Sequence, residues 1–286
     1  MPRARSNSHV APTGNPVQTR LLISLLLLLT CFAATADDAV VLMEPAFEAA
    51  QQREFDAAID ELASLADRHE NPVFRFHLAR IQHRAGQFDR ASDTVSALIE
   101  THPDHDDAHY LAGLINLSLV DEVSIFRKVG MAKRALEAWQ TAVEINPDHI
   151  DARYAIFAFY ANAPGIAGGD IEKARSLADE LERMNPGYGA MARATLATKE
   201  EQYDQAETAF QEAADILDRA GPHFVLAQHY VGQRQWQPAL DEIELYLQKE
   251  KRWWDPDLTV VHLAKARALA GLGNNDDARR EIERAL

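Results

Sequence analysis

The sequence predicts an all-α fold, a right-handed superhelical solenoid of about seven helix pairs over residues 37–286. Two observations carry that expectation. Apolar residues recur at steps of three and four in one repeating frame, which is the spacing of a single helix face, and in three copies a proline closes the frame. The small residue of the frame is alanine in every copy: Ala58, Ala91, Ala135, Ala174, Ala206, Ala239 and Ala278, at intervals of 33, 44, 39, 32, 33 and 39 residues. Self-similarity at periods of about 20–50 residues marks stacked supersecondary units, none of which buries its apolar face alone.

In chain order, residues 1–36 read as a secretory signal peptide. Arg3, Arg5 and Arg20 supply the charged flank, Leu21 to Thr30 the apolar core, and Ala34-Thr35-Ala36 the small-residue cleavage pattern. The apolar core is shorter than the ~20 residues that a bilayer-spanning helix needs. Cleavage after Ala36 is therefore expected, into the periplasm and with no membrane insertion afterwards. Lipidation at Cys31, the one cysteine, is the lesser alternative, because Thr30 stands where lipoprotein signals carry a smaller residue. Cleavage removes that cysteine, leaving neither a disulfide nor a thiol nucleophile. The solenoid units then fall roughly at 39–71, 72–105, 106–149, 150–186, 187–219, 220–257 and 258–286.

Each unit pairs an amphipathic segment such as Val73 to Gly86 or His223 to Gln233 with the alanine-bearing helix that follows. The alanine permits close approach of the two helices, and Phe55, Phe88, Tyr203 and Trp236 are placed to plug the seam beside it. This frame resembles the tetratricopeptide repeat, whose period is about thirty-four residues. The departures are Ala132 and Ile171 in place of the aromatic, Asn275 as a polar replacement, and a late proline in the first, fifth and sixth units. The resemblance implies a binding scaffold whose first helices line a concave face that captures a segment of another protein.

On that face the equivalent first-helix position holds Phe76, Tyr110, Tyr154, Met191, Phe224 and Leu263, a candidate apolar partner groove. Packing between neighbouring helices is the competing role for the same residues. Arg80 lies one turn beyond Phe76. Family members that clamp carboxylates do so with a Lys, Asn and Arg cluster; here only Arg80 and Arg84 resemble it, with Arg267 far away, so such a clamp is disfavoured.

The long intervals place two insertions inside consecutive helix pairs, at 119–131 and 162–170, expected to emerge side by side on one edge. The first combines Ile125, Phe126 and Val129 with Arg127 and Lys128, a basic spot. The second runs through Pro164, Gly165, Ile166, Gly168 and Gly169 to Asp170, a candidate cap for the next helix. A glycine-rich turn before a helix can bind an anion, but this one lacks a Walker lysine and a preceding strand. The stretches IFRKVGMAKRA, DARYAIFAFY and APGIAGG together resemble a group of predicted exported bacterial tetratricopeptide proteins, which implies export and no established activity.

His102, His105 and His109 among Asp104, Asp106 and Asp107 are the densest set of candidate metal ligands, yet Pro-Asp-x-x-Asp-Ala is also the turn that links repeats. No catalytic motif appears, so the chain reads as no enzyme, with no cofactor and no resident metal. Its formal charge is −15, or −18 from Asp37 onward, which disfavours nucleic acid and anionic membrane surfaces. Trp253 and Trp254 lengthen the link before the last unit, and that last unit offers a face for a homodimer. The function expected is an exported scaffold or adaptor in protein–protein interactions of the cell envelope. The alternative is a periplasmic small-ligand or metal-binding component using the two insertions or the histidine cluster. N-terminal sequencing of the protein from cell envelopes should begin at Asp37; an intact Met1 or a lipid-blocked Cys31 would overturn the export reading.

Overall fold

The computed structural model describes residues 36–119, 125–252 and 255–286. They form fourteen helices and no strand. These are α1 (Ala36–Gln51), α2 (Phe55–Arg68), α3 (Pro72–Arg84), α4 (Phe88–Thr101), α5 (Asp106–Ser118), α6 (Ile125–Ile145) and α7 (Ile150–Asn162). After a 3-10 turn (Gly165–Ala167) come α8 (Ile171–Met184), α9 (Pro186–Lys199), α10 (Tyr203–Leu217), α11 (Ala220–Gly232), α12 (Trp236–Gln248), α13 (Leu258–Gly271) and α14 (Asn275–Ala285). Consecutive helices pack on one another throughout, and first helices also touch first helices of the next unit, as α1 does α3 and α7 does α9. The first helices thus form an inner layer and the second helices an outer one.

The repeating alanines explain the pairing. Ala58, Ala91, Ala135, Ala174, Ala206 and Ala239 are completely buried and Ala278 nearly so. No larger side chain fits where two helices come this close. In the third unit the contact is closer still: the Trp139 ring occupies the space a Cβ on Gly113 would need, and its Nε1 donates to the Tyr110 carbonyl at 3.2 Å. The aromatics ahead of the alanines are less uniform. Phe55, Phe88 and Trp236 are half-buried, whereas Tyr203 is exposed, so an aromatic plug is not what defines the seam.

The turn inside the pair is the more constant device. Arg53, Gly86, Glu201, Arg234 and Gly273 all have positive φ, one in each of five pairs. Behind each, the next backbone N–H reaches back five residues: Glu54 to Ala49, Gln87 to Gln82, Gln202 to Ala197, Gln235 to Tyr230 and Asn274 to Leu269. That is the 6→1 bond of a Schellman ending, repeated five times. Two starts are capped by asparagines that the repeat frame does not single out. Asn71 Oδ1 accepts from Val73 N and Asn185 Oδ1 from Gly187 N, each at 3.0 Å, with proline at the first helical position.

The two pairs without this turn carry the insertions. The first insertion is not a loop over its whole length: α6 begins at Ile125 and runs unbroken for 21 residues, because Met131, Ala135 and Trp139 continue one apolar face at steps of four. The side chains of Ile125 and Phe126 and all of 120–124 lie outside the described residues, as do the signal segment and the Trp253–Trp254 pair. The second insertion contains the 3-10 turn, and α6 packs against it.

The left-handed position favours glycine, and non-glycine residues there are strained by ~1–2 kcal/mol, partly offset by glycine's greater freedom when unfolded. Arg234→Gly should therefore raise stability, and Gly86→Ala should lower it, each by about 0.5–1 kcal/mol in urea denaturation. Equal effects of the same sign would contradict the turn assignment.

Candidate concave binding site

The inner layer curves around a cavity of about 620 Å³. Four of the equivalent first-helix positions meet in its wall: Tyr110 of α5, Tyr154 of α7, Met191 of α9 and Phe224 of α11. Each is buried or half-buried, with the side chain packed among helices on one side and facing the cavity on the other. Packing and groove-lining are therefore one role for them. Phe76 does not reach this cavity. It is 7% exposed, lies in the core between α3 and α5, and stacks on His105 with ring centroids 5.3 Å apart. Leu263 also stays away, 49% exposed on α13.

The second insertion supplies part of the same wall through Ala163, Pro164 and Ala167. Its turn is held from within. The N–H groups of Ala167 and Gly169 bond to the Pro164 carbonyl, Gly168 N to Gly165 O and Asp170 N to Tyr160 O. Gly168 sits at φ +108, and a Cβ on Gly169 would strike the Ala163 carbonyl oxygen. Asp170 Oδ1 accepts from Glu172 N at 3.1 Å and Lys173 N at 3.2 Å, capping α8. With those N–H groups engaged, the glycines serve backbone geometry and not an anion nest. Gly165 and Ile166 stand at the crest, Ile166 80% exposed. Arg127 is exposed and Lys128 half-buried near the start of α6; neither borders the cavity.

The cavity's polar edge comes from residues that the repeat frame does not single out. The Tyr188 hydroxyl donates to Asp151 and accepts from Arg219 Nη2 at 2.9 Å and Arg252 Nη1 at 3.0 Å. Arg252 Nη1 also lies 3.1 Å from Asp151 Oδ2, and the Arg219 guanidinium covers the Tyr188 ring at 5.3 Å. Burial, with the Asp151 charge second, raises the Tyr188 hydroxyl far above the usual phenol value. It therefore stays a neutral donor to Asp151.

Arg252 comes from the lengthened link between α12 and α13, a hundred residues from Asp151. That link enters the channel: Asp255 and Pro256 line the cavity, Arg252 N donates to Asp255 Oδ2 at 2.7 Å, and the Tyr246 hydroxyl donates to the Pro256 carbonyl. Burial raises the Asp255 carboxyl. Farther round, Arg53 Nη2 donates to Thr259 Oγ1 at 2.9 Å, joining the first helix pair to the seventh. Arg80 faces a second hollow on that side, not the apolar one.

The histidine cluster is used locally. His105 Nδ1 accepts from Ala108 N at 3.3 Å, and His149 Nδ1, one unit later, accepts from Ala152 N at 3.2 Å, so both cap a first helix. His102 pairs with Thr101 Oγ1 and His109 with the Pro103 carbonyl, both at 2.9 Å. Among the described residues no three candidate ligands converge on a metal position.

Residues 49–115 and 259–284 each match a family described as tetratricopeptide repeat. No curated protein matches the sequence. A tetratricopeptide repeat protein from Parabacteroides merdae superposes with a TM-score of 0.50 at 16% identity, over 85% of this chain and 90% of that one. The human IFIT1 dimer with m7Gppp-AAAA superposes with a TM-score of 0.55 at 15% identity, over 93% of this chain and 64% of that one. Both likenesses are of fold.

The Arg252–Asp151–Tyr188 network pins the link across the channel. Arg252→Ala should speed amide hydrogen exchange in residues 249–257 by about tenfold or more, on the scale of one lost charge-assisted bond, with α7 and α9 little changed. Unaltered exchange there would show that the link is held by other contacts.

Proposed function

We propose that this chain, a tetratricopeptide-repeat protein, is an exported scaffold of the cell envelope that holds a segment of another protein against its concave face. Tetratricopeptide repeats generally mediate protein interactions, and the repeats here extend from the first described helix to the last. One observation supports the site: Tyr110, Tyr154, Met191 and Phe224, one from each of four successive units, converge on a single apolar cavity. A stripe of similar residues along a solenoid need not do this. The cavity suits the apolar side chain of an extended or helical partner segment, with Pro164 and the exposed Ile166 beside its entrance. The arrangement offers binding and orientation, and the half-buried Asp151 and Arg219 beside the Tyr188 hydroxyl give a segment polar partners at the cavity edge.

The periplasmic location rests on the signal-like residues 1–36. The acidic chain favours a neutral or basic partner segment over nucleic acid or anionic lipid. Self-association through the last repeat belongs to the same reading, since Ile282 on α14 is 44% exposed.

Photo-crosslinking probes at Leu117 and Ile166 in intact envelopes should yield a shared adduct. Ala158→Trp, which fills the cavity from α7, should abolish the Leu117 adduct while leaving the melting temperature within a few degrees. A probe at Ile282 should yield an adduct of twice the chain's mass. Persistence of the Leu117 adduct in a folded Ala158→Trp protein would remove the cavity from the proposed function.

A further inference from the structure

The second hollow in the channel has a different chemistry. It measures about 800 Å³ and lies between the α1–α2 turn, α3 and residues 247–252 and 255–258. Five cationic side chains line it: Arg53, Arg80, Arg84, Lys251 and Arg252. Against them stand Asp255 and Asp257, and both carboxylates already accept from backbone N–H groups, of Arg252 at 2.7 Å and Val260 at 3.1 Å. A net excess of cations in one enclosed place is notable on a chain of charge −15, since the charge elsewhere must be that much more negative.

Some of these cations have assigned contacts. Arg53 donates to Thr259, Arg252 to Asp151 and Tyr188, and Lys251 Nζ to the Leu247 and Lys249 carbonyls, while the Arg80 guanidinium lies over the Phe47 ring and Lys251 Nζ over the Tyr246 ring, each 5.4 Å from the centroid. Arg84 makes no ion pair among the described residues, and it borders both this hollow and a neighbouring one of about 530 Å³. Arg80, one turn before it on α3, is pushed down to about 10 by burial and then by the like charge of Arg84, with Asp107 opposing. Two guanidinium groups held in each other's field favour an anion between or beside them. Guanidinium is also the cation best matched to planar or tetrahedral oxyanions through paired N–H bonds. The remaining wall is apolar apart from Gln51, with Phe47, Phe55, Ile81 and Leu247. The volume is that of a small-molecule site.

We propose that this chamber binds a small organic oxyanion, a carboxylate or phosphate group on an apolar body, with Arg80 and Arg84 taking the charged group and Phe47 and Leu247 the body. The site is assembled only by superhelical closure, because its cations come from the first, second and sixth units. It is distinct from the apolar cavity, although Asp255 and Pro256 line both.

Calorimetric titration of the full chain with octyl phosphate, decanoate, octanol and inorganic phosphate tests the assignment. Saturable binding of octyl phosphate or decanoate is expected, weakening with added salt, with octanol and inorganic phosphate each at least about tenfold weaker. Arg84→Gln should weaken the amphiphile about tenfold or more, and Lys251→Gln, at an exposed side chain whose loss leaves packing intact, should weaken it in the same direction. Circular dichroism melting confirms that each variant is folded. Octanol binding as tightly would eliminate the anionic group, and inorganic phosphate binding as tightly would eliminate the apolar body. Absence of saturable binding by both amphiphiles, or binding unchanged in both folded variants, would overturn the site. These titrations use no partner protein, so their failure leaves the apolar cavity's role untouched.

Discussion

Close approach of two helices at a buried alanine is the constraint from which the rest of this structure follows. Six of the seven alanines are wholly buried, and nothing larger could stand there without pushing the pair apart. Once each pair is held at that distance, its apolar faces can be covered only by the next pair, and a stack results. The Schellman turns act on the same scale. A residue with positive φ reverses the chain within two or three positions, so that the second helix returns along the first. Where that turn is replaced, in the third and fourth units, the pair survives because Trp139 over Gly113 and Ala174 still set the spacing.

The features that distinguish this chain lie where the frame is broken. The later part of the first insertion forms the start of α6, and the second insertion is a self-bonded turn against which α6 packs. The second also reaches inward, with Pro164 and Ala167 lining the apolar cavity. In a third departure, the lengthened link before α13, Asp255 and Pro256 line both the apolar and the cationic hollow. Solenoids of this kind usually leave the concave face open along its length. Here Asp255 and Pro256 stand at both hollows, and Arg252 of the same link is anchored on Asp151 and Tyr188.

Much of this was legible one residue at a time. The helix pairs follow from a 3.6-residue apolar period, the cap on α8 from Asp170, and the stripe Tyr110, Tyr154, Met191 and Phe224 from register. Register could not separate Phe76 from that stripe, because packing against His105 depends on where the neighbouring unit sits. It could not promote Arg80 and Arg84 to a site either, since their companions Arg53, Lys251 and Arg252 are remote along the chain. The excess length between Ala239 and Ala278 did mark the link, but a longer interval carries no direction. The helical character of the later part of the 119–131 insertion was hidden for a local reason: the basic and apolar mixture of Ile125 to Gly130 masks a helical face that continues into Met131 and Ala135.

The sequence by itself determined the repeat, the helix pairs, the residues at their closest contacts and the places where the period is broken. These are short-range consequences of side-chain size, backbone preference and apolar spacing within one unit. Only the tertiary structure decided what those breaks enclose. Each unit adds a small rotation, and over seven units the rotations bring Arg53 to Thr259 and Arg252 to Asp151. A cavity made that way depends on the accumulated angle of the whole stack, which no single repeat encodes.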